Sequence, residues 1–75
     1  MFPTEQAERA IIHLERGIAL SQVGQEKEAR EAFDRALSDA RAEPGSWEQR
    51  LHRRMLKLED HRALALWVSV LGSAQ

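Results

Sequence analysis

The residues best equipped for chemistry in this sequence are His13, His52 and His61, the serines Ser21, Ser38, Ser46, Ser69 and Ser73, and the basic run QRLHRRMLKLEDHR. The histidines are the only soft nitrogen ligands. Their spacing gives no pair at i, i+4 and no H-E-x-x-H arrangement, so no metal site is expected from them. None of the serines lies in a nucleophile-elbow context, and no glycine-rich phosphate loop follows a strand. The chain is therefore not expected to be an enzyme or to need a cofactor. The basic run carries Arg50, Arg53, Arg54 and Lys57 on one side of a predicted helix, with Arg62 beyond. Such a side could meet phosphates, which makes a small helical nucleic-acid-binding protein the alternative reading. It lacks interleaved aromatics, and the net charge of the chain is -1. Nucleic acid is not the expected ligand.

The elements that must carry these groups are helical. Only two prolines occur, Pro3 and Pro44, both where an element should begin. Thr4 is expected to cap a first helix over about Glu5 to Val23, with Glu5 and Glu8 at its positive end. Ala7, Ile11, Leu14 and Ile18 recur along it at helical spacing. Gly24 suits the left-handed backbone of a helix end. A second helix is expected over about Gln25 to Ala42, with Ala29, Ala32, Phe33, Ala36 and Leu37 on one face and Arg30, Glu31, Asp34, Arg35 and Asp39 largely on the other. Pro44, Gly45 and Ser46 open the next element, with Ser46 as its cap. Beyond it, Trp47, Leu51, Met55 and Leu58 share a face, whereas Ala63, Leu64, Trp67, Val70 and Leu71 point roughly the opposite way. A straight helix cannot keep one buried stripe through that phase jump. A break is expected between Leu58 and Asp60, with Asp60 capping a fourth helix. Gly72, Ser73, Ala74 and Gln75 read as a loose tail.

Composition sets the frame for these elements. Seventy-five residues make one small domain, close to the lower limit for a self-sufficient core. There is no cysteine to staple it, which fits a reducing compartment. Hydrophobic residues at 43% and charged ones at 31% describe a globular chain. No apolar run approaches the roughly 20 residues that span a bilayer, and MFPTEQAERA does not read as a signal peptide. Cytoplasmic is the expected location. Residues 1–45 hold six Lys/Arg against nine Asp/Glu, a net of -3, and residues 46–75 hold five against three, a net of +2. That gradient can orient a partner or a second copy of the chain.

An internal repeat organises the whole sequence. Shifted by 34 residues, His13 falls on Trp47, Ala29 on Ala63, Phe33 on Trp67, Ala36 on Val70 and Leu37 on Leu71. With Gly17 in the first helix, Gly24 at the turn, and Ala29, Phe33 and Ala36 in the second, the sequence resembles the tetratricopeptide repeat family. The resemblance implies an all-α fold of antiparallel helix-turn-helix pairs. One unit would span about residues 10–43 and a second, degenerate one 44–75. It departs from the family at His13 and Arg16 in the first unit, and at Leu51 and Leu58, where the packing and turn glycines belong in the second.

The resemblance further implies a protein–protein interaction module of adaptor or chaperone type. Its inner surface would bind a partner through Ile11, Leu14 and Ile18 of the first unit and Glu48, His52 and Met55 of the second. The same apolar residues could instead pack the first helix against the third. Leu14 and Ile18 stand where family members that clamp a terminal carboxylate carry Lys and Asn, so the expected ligand is an apolar or amphipathic segment. The last helix, ALALWVSVLG, shows apolar groups on several sides. Leu64, Trp67, Val68 and Leu71 form a second candidate interface, and a homodimer is one way to cover it.

Overall fold

The computed structural model describes residues 4–73 as four helices without a strand among them: α1 (Glu5–Gln22), α2 (Glu26–Ala42), α3 (Trp47–Leu58) and α4 (His61–Ser73). The expected helix start at Pro3 lies outside the described residues, as do Ala74 and Gln75 of the expected tail. Gly72 and Ser73 belong to α4 instead, where the Ser73 hydroxyl donates to the Ser69 carbonyl at 3.0 Å.

Each joint has a local cause. Thr4 caps α1, its Oγ1 accepting from the Ala7 amide at 3.2 Å. At the other end Gly24 takes φ +82°. The Gln25 amide then reaches back to the Leu20 carbonyl at 3.0 Å and the Gly24 amide to that of Ser21 at 3.2 Å, the double closure of a Schellman turn. The predicted break after α3 is present. Asp60 caps α4 through Oδ1, which accepts from the Ala63 amide at 3.1 Å, and Glu59 supplies the left-handed residue at φ 57°. The position that aligns with Gly24 is Leu58, so the second turn places its left-handed residue one position later. Ser46 departs from expectation. Its carbonyl accepts from the Arg50 amide, but its backbone is left-handed at φ 61° and its side chain makes no capping bond.

The helices pack unevenly. α1 and α2 form an antiparallel hairpin in contact along its length, whereas α3 and α4 touch each other little and lean on the hairpin. Contacts at Gly17 with Phe33 and at His13 with Asp39 fix the antiparallel register of α1 and α2. One core runs through all four helices, with Leu14, Ile18, Phe33, Leu37, Leu51, Met55, Leu66 and Trp67 among its members. At its centre the rings of Phe33 and Trp67, the pair related by the 34-residue shift, meet edge to face at 5.9 Å and 75°.

Gly17 is where the close approach of α1 and α2 depends on a missing side chain. A Cβ there would stand 2.5 and 2.6 Å from ring carbons of Phe33, which is fully buried and held against Trp67. Gly17→Ala would gain about 1 kcal/mol of helix propensity. The overpacking it forces costs about 1–3 kcal/mol. The expected net result is a lower urea midpoint at unchanged slope, read by circular dichroism. Leu51 occupies the corresponding place in α3, and there the helices stand apart.

Candidate functional site

The sequence-predicted inner face divides when placed in the fold. Leu14 and Met55 are fully buried and Ile18 nearly so, which makes them core residues rather than a free binding surface. Ile11 is half-buried against the same core. The apolar stripe of α1 is covered where α3 and α4 pack against the hairpin, and an ion pair between Arg54 of α3 and Glu15 of α1 adds a surface tie. Glu48 and His52 are half-buried and face elsewhere, toward α4. Of the second candidate interface, Trp67 is fully buried, Leu64 and Leu71 are half-buried against the core, and Val68 is 49% exposed.

What remains open is a groove where α3 and α4 splay apart. Glu48, Gln49, His52, Arg53 and Leu56 of α3 line it, with Leu71 of α4, around a volume of about 520 Å³. Leu56 is 52% exposed. Glu48 accepts from Arg41 Nε of α2 at 2.5 Å, so its charge is countered from behind the groove. Arg53, further along α3, makes no ion pair among the described residues. The groove thus has an apolar floor and a basic edge. His52 lines it and accepts at Nδ1 from the Trp67 indole at 3.0 Å. That bond ties the groove wall to the ring at the centre of the core.

The remaining chemistry-bearing groups are scattered. His13 stands 3.9 Å from Asp39, and His61 is exposed. Among the described residues no three His, Cys, Asp or Glu side chains converge on a point that could hold a metal ion. The basic side of α3 is exposed but partly committed. Arg54 pairs with Glu15, and the Arg50 guanidinium lies 4.7 Å from the Trp47 ring centroid. Arg53 and Lys57 make no ion pair among the described residues, and Arg53 lies on the groove edge. Among the described residues no helix is long and apolar enough to cross a membrane.

No family model matches the chain, and neither a curated protein nor a solved structure matches it. The groove must be interpreted on its own residues. Leu56 and Gln49 were missed by sequence reasoning, although Leu56 carried a signal, since it is an apolar residue about 140° around α3 from the buried Leu51. The bond from Trp67 to His52 had no such signal, because it joins two helices whose separation the sequence does not specify.

Proposed function

We propose that this chain is a tetratricopeptide-like protein–protein interaction module that takes an amphipathic helix of a partner in the groove between α3 and α4. The observation that supports the reading is a comparison of the groove with its counterpart 34 residues upstream. Glu48, His52 and Leu71 correspond to Leu14, Ile18 and Leu37, all three buried in the core that α3 shares through Leu51 and Met55. Gln49 corresponds to Glu15, which holds Arg54 of α3. In the first half of the chain a following helix fills this place; in the second half the place is open. A helix is the occupant that the geometry of such a stack accommodates. The role is that of an adaptor or assembly chaperone rather than an enzyme, and the cysteine-free composition suits the cytoplasm.

The test uses a fluorescent synthetic helix with a leucine stripe flanked by glutamates, titrated with the protein and followed by anisotropy. Binding is expected for the unmodified chain and should weaken at least about 30-fold in Leu56→Glu, whose site lies in the groove floor. Circular dichroism checks that the variant remains folded. Apolar contact predicts a modest salt dependence. If a labelled single-stranded oligonucleotide binds instead, with steep salt dependence and loss in an Arg53→Gln, Arg54→Gln variant, the groove reading gives way to the phosphate-binding one.

A further inference from the structure

The exposed large hydrophobic side chains of the described residues fall into two groups, and α2 contributes none. One group, Leu56, Leu58 and Val68, lies on α3 and α4. The other runs along α1 to its C-cap, where Ile12 is 62% and Val23, the residue just after the helix, 69% exposed. With the exposed Ala19 between them, Ile12 and Val23 line up at i, i+7 and i+11, a single stripe along the solvent side of α1. It is distinct from the buried stripe of Leu14 and Ile18. Glu8 flanks it and is exposed without an ion pair among the described residues. Arg16, on the other flank, lies beside Glu28 and Glu31 of α2 in a shallow pocket they share. The outer face of α1 is therefore an amphipathic helix with an acidic edge. From Ile12 to Val23 it is about 16 Å long, and α3, which forms one wall of the groove, is about 18 Å.

We infer that the occupant of the α3/α4 groove is the outer face of α1 from a second copy of this chain, so that copies associate head to tail. The inference rests on the groove reading given above and adds the identity of the occupant. Charge favours it: the acidic edge at Glu8 meets Arg53 on the groove edge, and the half of the chain bearing α1 carries -3 against +2 for the half bearing the groove. Within one molecule the contact cannot form, because α1 is held along its length against α2. The two surfaces in contact are different patches, so the interface is heterologous. Each dimer keeps one unfilled groove and one unfilled α1, and growth continues until a ring closes.

That asymmetry gives a test. Sedimentation equilibrium of the unmodified chain should show a weight-average mass that climbs past the dimer as concentration rises. Ile12→Glu removes the inserting stripe, and Leu56→Glu removes the groove floor. Both sites are exposed, so circular dichroism should show both variants folded, and each alone should lose association by at least about 30-fold. Mixed in equal amounts, the two should form a 1:1 dimer that grows no further. The Ile12→Glu copy keeps its groove, the Leu56→Glu copy keeps its α1 face, and only one productive contact exists between them. Two outcomes overturn the inference while leaving the groove reading intact: a monomeric unmodified chain that still binds the synthetic helix, or self-association that Leu56→Glu disrupts and Ile12→Glu does not. Failure of the mixture to recover a dimer overturns the head-to-tail geometry in favour of a symmetric contact. If Leu56→Glu alters neither self-association nor binding of the synthetic helix, the groove reading falls as well.

Discussion

Replacing Leu14 and Ile18 together with glutamate is expected to unfold the chain. Both side chains are buried in the core that all four helices share, Leu14 completely. Truncating a large buried aliphatic residue typically costs about 2–5 kcal/mol even when nothing polar replaces it. Here each site would also receive a buried carboxylate, which must either be desolvated or bind a proton at a further cost. A domain of this size has only about 4–11 kcal/mol of stability to lose. The expected result is loss of the helical circular dichroism signal and of any cooperative thermal transition. Retained helicity with altered binding would show instead that these two residues form an exposed recognition face, the role assigned to them on sequence alone.

Phe33→Ala is the second change with a large expected effect, about 3–5 kcal/mol of destabilisation. Its ring does two jobs at once. It fills the space left by Gly17 and presents its edge to Trp67. An alanine leaves a void next to a residue with no side chain of its own to move into it, so little of the cavity can collapse. Trp67 would lose its aromatic partner while keeping its bond to His52. The urea midpoint and the near-ultraviolet circular dichroism of the tryptophans would report this. Phe33→Leu, which preserves most of the volume, should be distinctly milder. Equal effects of the two substitutions would mean that ring stacking, not filling, dominates.

These two cases mark where sequence reasoning succeeds and where it stops. Local signals carry the helices and most of their ends. Thr4 and Asp60 have the right side chain at the right offset, and the break before α4 follows from a phase jump although neither glycine nor proline is present. The 34-residue shift makes Phe33 and Trp67 equivalent positions, but it does not specify that their rings touch, as they do. The functional surface is a different matter. Helix α1 carries two apolar stripes, Ile11, Leu14 and Ile18 on one side and Ile12, Ala19 and Val23 on another, and periodicity alone cannot say which one the rest of the chain covers. That depends on where α3 comes to rest, a long-range outcome fixed partly by the Arg54–Glu15 pair and by Leu51 standing where the first hairpin has Gly17. For the same reason Met55 and Trp67, chosen as surface residues, are interior, while Leu56 lies open. Ser46 was assigned a capping role by residue type. Its left-handed backbone, next to Gly45 at φ +106°, turns the side chain away from that task.

The uneven packing of the two helix pairs has a kinetic consequence. The α1–α2 hairpin is built from contacts close in sequence around a tight turn, the kind that form early because they cost little chain entropy. Helices α3 and α4 gain most of their burial from that hairpin rather than from each other, so they can order only once it exists. On the way out the sequence reverses. Amide hydrogens of α3 and α4 should exchange through partial opening, with the hairpin still intact, while those at the centre of α1 and α2 wait for global unfolding.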